Sequence, residues 1–325
     1  MNKKCVGCGI VLQDVDSLAD GYVSSNDHNL CYRCFNIKNY GQNKVINLDN
    51  NDYMKILDNI NDDDLVVYVS SLLTLNLDLI NKFKNVILVL TKRDILPKSV
   101  KNEKIINYVS KRYNYMDIVI VSAVKKMNLD ILYNKLNKDG LNKKIYFVGT
   151  TNSGKSTLIN EMIKSYNGVS GNITVSSFPS TTLSTINVDI GDLKVIDTPG
   201  IVVNDSIINY LDLKDIKRIN SKKEIKPITF QVKGKGSLLL DNICRIDYDT
   251  DVSSMTFYVS NNLSVDKISL NNNNSMLDYN NTDFDIKSEE DLVIEDVGFV
   301  KITNPMKIKV YYKDSLDLRI RDSLI

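Results

Sequence analysis

The stretch KKIYFVGTTNSGKSTLINEMI, residues 143–163, decides how this chain folds. Lys144 to Val148 is a short strand-like run, GTTNSGKS from Gly149 to Ser156 is a loop, and the TLINEMI that follows is helix-like. Strand, glycine-bearing loop and helix in that order make a P-loop. Its glycines let backbone N–H groups curl around phosphates, and the helix N-terminus adds positive potential. Gly149, Asn152, Ser153, Gly154, Lys155, Ser156 and Thr157 are therefore expected to line a nucleotide phosphate site. Lys155 should reach the β- and γ-phosphates, and the Ser156 hydroxyl should ligate magnesium.

Further along, Leu193 to Ile196 is an apolar strand ending in Asp197-Thr-Pro-Gly200. An acid at a strand end beside a P-loop can hold magnesium through its water shell, and the Gly200 N–H can then sense the γ-phosphate. Between the two motifs lies FPSTTLST, in which Thr182 (or its neighbour Thr181) can supply the second hydroxyl to magnesium. This fits a switch loop ordered by the γ-phosphate. Lys155, Asn152, Thr182 and Gly200 form the expected catalytic group.

Before the P-loop, the strand-like Val86 to Leu90 ends in Thr91-Lys92-Arg93-Asp94, which resembles the NKxD base-recognition motif of GTPases. A carboxylate at Asp94 would face the N1 and N2 donors of guanine, and the Lys92 stem would cover the base. Thr91 stands where Asn is usual, as it does in dynamin-type GTPases. A second strand, Asp117 to Val121, delivers Ser122-Ala123-Val124-Lys125, resembling the SAK motif whose backbone meets the guanine O6. In an ordinary Ras-like domain the phosphate loop comes first and base recognition last; here the order is reversed. A parallel sheet tolerates this circular permutation provided the old chain ends are joined. Helix-like Leu129 to Leu136 and the polar turn Asn137 to Asn142 would make that join.

Cys5-x-x-Cys8 and Cys31-x-x-Cys34 are two knuckles separated by 22 residues. Four thiolates at such spacing complete a tetrahedral zinc shell with no open position, so the expected role is structural. Two disulfides are the competing arrangement, disfavoured in a reduced chain. His28, the single histidine, reads as an exposed loop residue, and Cys244 as a small core residue. The chain has 41 basic and 40 acidic side chains, so any nucleic-acid contact must come from local patches. No apolar h-region follows MNKKC, and the most apolar stretch, Leu65 to Leu77, is too short and too polar to span a bilayer. A cytoplasmic protein without membrane contact is expected.

Taken together, CVGCGIVLQ, GYV, LCYRCF, TKRDILPKS, GTTNSGKSTLIN, FPSTTL, DTPGI, KKEIKPITFQVKG and LRIRDSLI resemble the YqeH family of circularly permuted GTPases over essentially the whole chain. The resemblance implies GTP and GDP as ligands. It also implies a role in assembly of the small ribosomal subunit, with GTP hydrolysis gating binding to ribosomal RNA or precursor particles. One departure is SSLLTLN after Leu65 to Val69, where the family usually carries acidic residues. Ile201 follows DTPG where Ras-like GTPases place the water-orienting glutamine, so hydrolysis should be slow. Asn152 stands where related GTPases hold potassium as a charge stabiliser; the alternative is that it serves a tight turn.

After Asp205 the pattern changes to strand-like runs: ITFQV, SLLLDNICRIDY, SMTFYVS, GFVKI and MKIKVYY. Lys214 to Lys235 carries eight basic and two acidic residues, either a phosphate-backbone contact or a solvated surface. Asp278 to Asp296 carries eight acids and one lysine, which would repel RNA. The expected organisation is a zinc module over residues 1–45, a permuted α/β GTPase domain over 46–205 and a β-rich partner- or RNA-binding domain over 206–325. A slow GTPase of small-subunit assembly is the leading function. A ribosome-binding scaffold with a structural nucleotide is the alternative.

Overall fold

The computed structural model describes residues 3, 11–15, 22–23, 50–167, 185–200, 207–209, 211, 213–270, 279–313 and 315–325. Cys5, Cys8, Cys31, Cys34, His28, Thr181, Thr182 and Ile201 lie outside them. The chain forms two compact units. One gathers Met1–Ser70, Asp78–Thr91 and Tyr115–Val202; the other gathers Ser71–Leu77, Lys92–Asn114 and Val203–Ile325.

The first unit is built on a six-stranded sheet of β1 (Leu65–Ser71), β2 (Val86–Thr91), β3 (Asp117–Ile120), β4 (Ile145–Gly149), β5 (Ile186–Ile190) and β6 (Leu193–Asp197). Their order in space is β3-β2-β1-β4-β6-β5. β2 with β3, β1 with β4, and β4 with β6 are parallel pairs, and β5 pairs antiparallel with β6. Every residue of β1, β2 and β4 is buried, which explains why they read as unbroken apolar runs. Among the described strands the path through this sheet begins mid-sheet at β1, steps out to β3, and returns through α3 (Leu129–Asp139) to β4 on the other side of β1. Leu129, Leu132 and Leu136 give that helix its buried face. The permutation thus needs no break in the sheet. It also puts the reversal of strand order between β1 and β4, where ligands of open α/β sheets bind at the carboxyl strand ends. Among the described residues the other helices are α1 (Asn50–Asp58) and α4 (Lys155–Tyr166) in this unit, and α2 (Asn102–Ser110) and α5 (Leu213–Ile219) in the second. No described helix is long and apolar enough to cross a membrane.

The second unit carries an eight-stranded sheet: β7 (Ile228–Leu240), β8 (Cys244–Val259), β9 (Val265–Ile268), β10 (Asn280–Ile286), β11 (Glu290–Ile294), β12 (Gly298–Ile302), β13 (Met306–Tyr312) and β14 (Leu318–Asp322). β8 is long enough to pair with β13 along its first half and β12 along its second, while β7 flanks it on the other side. Cys244 is fully buried in the resulting core, and burial pushes its thiol up to about 12, so it packs as an apolar residue. One expectation needs correction. SLLLDNICRIDY is not one run: the chain turns at Asp241–Ile243, with Asp241 left-handed at φ 47°, and two strands leave the turn antiparallel. Within the acidic run, Asp291 and Glu295 are buried, 0% and 2% exposed. In the basic run, Lys235 lies opposite Asp249 across the β7–β8 pair, 3.7 Å apart, so part of its charge is offset.

These two buried acids meet the arginines of β14. Leu318 and Ile320 pack on the core. Arg321 Nε approaches Asp291 Oδ2 at 3.1 Å, and Arg319 Nη1 approaches Glu295 Oε2 at 2.6 Å. Burial raises the Asp291 carboxyl above its usual range even with Arg321 beside it. Both arginines also donate to the carbonyl of Thr74, Arg321 Nη1 at 3.0 Å. This accounts for SSLLTLN: Ser71 to Leu77 is buried within the second unit, and its backbone rather than a carboxylate meets the cations. Removing one partner of a buried pair strands the other charge at about 3–5 kcal/mol. Arg321→Ala should therefore lower unfolding stability by roughly that amount. A denaturant titration that finds under about 1 kcal/mol, the worth of a surface pair, would contradict the packing.

Candidate functional site

The phosphate loop begins where β4 pairs with β1, Gly149 opposite Val69. A Cβ on Gly149 would stand 2.3 Å from the Val69 carbonyl oxygen, so only glycine lets the two central strands approach this closely. The loop turns through Asn152 at φ 59° and Gly154 at φ 90°, left-handed positions that suit Asn and Gly. Ser153 N donates to Thr150 O at 3.2 Å, and α4 then starts at Lys155. The Ser153 hydroxyl is buried without a hydrogen-bond partner among the described residues, an orphaned polar atom of the kind a bound ligand satisfies. Asn152 and Thr157 are exposed, Ser156 half-buried.

β6 brings DTPG to the same place. Thr198 extends the strand pairing by donating its N–H and its hydroxyl to Phe147 O, at 3.2 and 2.8 Å. Lys155, 5% exposed, directs its ammonium to the Asp197 carboxylate and the Thr198 carbonyl. Gly200 lies against the loop, where a Cβ would sit 3.2 Å from the Thr151 nitrogen. A buried lysine, a carboxylate and two glycine-bearing backbone turns thus converge on one point. This donor set fits a magnesium–nucleoside phosphate, with Ser156 and Asp197 as the residues that would hold the metal. Tyr53 of α1 joins them unannounced by the sequence, where it looks like a helix-face core residue. Burial pushes its phenol above the usual range, against the pull of Thr198.

Thr91 does more than stand in for asparagine. It is 2% exposed and donates its hydroxyl to the Ser153 carbonyl in the phosphate loop, with the Ser70 carbonyl at 3.3 Å. One hydroxyl thereby ties the ends of β1 and β2 to the P-loop. At the end of β3, Ser122 and Ala123 are buried in a closed turn. Lys125 N donates to Ser122 Oγ at 3.0 Å, and Asn128 Nδ2 to Ile120 O at 2.8 Å.

TKRD is divided: Thr91 belongs to the first unit, Lys92 to Asp94 to the second. Within the second unit Lys92 is left-handed at φ 61° and opens a 3-10 turn, Arg93–Ile95. Arg93, unassigned from sequence, is the staple of this loop. It donates to Asn102 Oδ1 at 2.6 Å, Leu96 O at 3.2 Å and Val100 O at 2.6 Å. Burial pushes the Lys92 ammonium below its usual range, opposed by Asp296, Glu295 and Asp94.

Thr91→Val keeps the shape and removes the donor. Leaving a buried acceptor unpaired costs about 1–3 kcal/mol. The variant should lose stability on that scale and bind nucleotide several-fold more weakly, while Thr91→Ser retains both. Denaturant melts and fluorescent-nucleotide titrations check this; wild-type affinity in the valine variant would remove the tie from the site.

Comparison with known proteins bears on the family. A family model described as 50S ribosome-binding GTPase matches residues 144–251, the P-loop, DTPG and the start of the second sheet. YqeH of Bacillus subtilis is 30% identical over 99% of this chain and 99% of its own. The small ribosomal subunit biogenesis GTPase RsgA of Clostridium beijerinckii is 27% identical, covering 50% of this chain and 54% of that protein. The crystal structure of YjeQ from Thermotoga maritima is 22% identical over 44% of this chain and 51% of that one, at a TM-score of 0.29, too low a likeness to bear on the fold. With a relative matched from end to end and the P-loop strand following the base-recognition strands in one continuous sheet, the chain belongs to the YqeH family of circularly permuted GTPases.

Proposed function

We propose that the chain is a slow GTPase acting in the cytoplasm on assembly of the small ribosomal subunit, its nucleotide state gating attachment to ribosomal RNA or a precursor particle. The observation that carries the reading is the convergence of Lys155, Asp197 and the Gly200 turn on the phosphate loop. In this reading Lys155 leaves Asp197 for the β- and γ-phosphates, and the loop N–H groups hold the phosphate chain in line for attack by water. Gly200 and Thr182 close on the γ-phosphate. Asp94 accepts from guanine N1 and N2, Lys92 covers the base, and Ser122 and Ala123 shape its O6 side. Magnesium, when bound, supplies charge neutralisation at the β- and γ-oxygens. Asn152 would hold a potassium ion, whose charge would supply part of what an arginine finger does. The exposed position of Asn152 suits that role, and its φ of 59° equally suits the turn alone.

The family description names the 50S particle, whereas the name of the RsgA relative specifies the small subunit. The choice of the small subunit rests on the YqeH resemblance and on RsgA. GTP turnover should therefore rise with 30S and not with 50S subunits, rise in potassium over sodium buffer, and vanish in Lys155→Ala. Equal rates in the two salts would remove the potassium role, and stimulation by 50S alone would reassign the partner. Ile201 in place of a catalytic glutamine favours a second reading, a ribosome-binding scaffold with a structural nucleotide. Tight GTP binding with no turnover under any condition would select it.

The four cysteines are proposed to fold residues 1–45 around one structural zinc. Elemental analysis should find about one zinc per chain. Its loss in a Cys5→Ser, Cys31→Ser double variant should leave nucleotide binding intact. Absence of zinc from the wild type would return the disulfide arrangement.

A further inference from the structure

The loop that carries Asp94 is held from outside by a segment more than a hundred residues away in sequence. Ile225 N donates to Ile95 O at 2.8 Å, and Lys98 N donates to Glu224 Oε1 at 2.9 Å. Ile95 and Ile225 are 3% and 2% exposed, so the backbone bond between them is shielded from water. The bracing segment is itself clipped. Asn261, in the turn after β8, donates Nδ2 to Glu224 O at 2.9 Å and accepts at Oδ1 from Lys226 N at 2.8 Å. All of these residues lie in the second unit. Ile95 follows Asp94 directly, and Ile95 N closes the turn onto Lys92 O at 3.1 Å. The backbone on either side of Asp94 is thus bonded at both ends, inward to Lys92 and outward to residue 225.

We propose that Glu224 and Asn261 are positioning residues for guanine: they fix residues 224–226, which fix the Ile95–Lys98 backbone and with it the aim of the Asp94 carboxylate. A bidentate contact to N1 and N2 depends on direction as well as distance, so a loop freed by a few tenths of an ångström loses the second bond first. The β-rich part of the chain therefore sets base selectivity, a task that sequence motifs assign wholly to TKRD. Lys92 adds to the case, since its ammonium feels Glu295 and Asp296 of the β11–β12 turn in the same unit. The proposal rests on Asp94 reading guanine, and its test keeps the two apart.

The measurement is the ratio of dissociation constants for IDP and GDP in the full-length chain, because inosine lacks the N2 amine that Asp94 would accept from. Glu224→Ala and Asn261→Ala should narrow the ratio by about 2- to 10-fold, the span of one hydrogen bond weakened by misalignment. GDP should also leave faster. Glu224→Gln, which keeps the acceptor for Lys98 N, should restore the wild-type ratio. A purely structural role would lower the melting temperature and weaken both diphosphates equally, leaving the ratio untouched. That outcome, with Asp94→Ala still narrowing the ratio, overturns the brace alone. A ratio unmoved by Asp94→Ala overturns the guanine reading and the brace together.

Discussion

The parallel pairing of β1 with β4 is the constraint on which the rest depends. Permutation leaves the sheet with two strands that start its two halves, and they must lie side by side for the crevice between their ends to exist. Gly149 against the Val69 carbonyl is what allows that approach. Once β1 and β4 are locked, β6 can pair on the far side and carry Asp197 to Lys155, and β2 can bring Thr91 to the Ser153 carbonyl. Neither motif would meet the phosphate loop if the central pair slipped by one residue, since a slip turns every side chain to the opposite face.

A P-loop is legible in sequence because its chemistry is local. Glycines at Gly149 and Gly154, a lysine at Lys155 and a helix start are all needed within eight residues, and few other structures ask for that set. The buried strands were legible for a similar reason, as continuous apolar runs. What could not be read was any contact whose two ends are far apart in the chain. The Thr91 tie joins residues 62 positions apart, and a threonine in place of asparagine carries no mark of its new acceptor. Arg93 had no assigned role in TKRD and is its internal staple. In the acidic run, charge alone does not reveal that Asp291 and Glu295 face inward to arginines on a strand not yet reached.

The departure at SSLLTLN follows the same logic. Two guanidinium groups of β14 converge on a single backbone carbonyl, at Thr74, and each is balanced by a buried carboxylate from its own sheet. Charge neutrality is satisfied between β14 and the segment formed by β11 and the turn after it, so the loop after β1 is free to be apolar and buried. An acid placed at that loop would compete with Asp291 and Glu295 for the same cations.

The distance along the chain of these late contacts sets a timetable. Arg319 and Arg321 meet Thr74 across 245 and 247 residues, and Glu224 meets Lys98 across 126. At a synthesis rate of about 5–20 residues per second, the Thr74 carbonyl waits on the order of ten to fifty seconds for its donors to be made. Contacts of such separation also close slowly once available. The strand pairs of the phosphate site are complete by residue 197, well before Glu224 or β14 has been translated. On the proposed reading, a nascent chain would pair the strands of its phosphate site before the Glu224 brace on the Asp94 loop exists, and discrimination among nucleotides would be a property acquired late in translation.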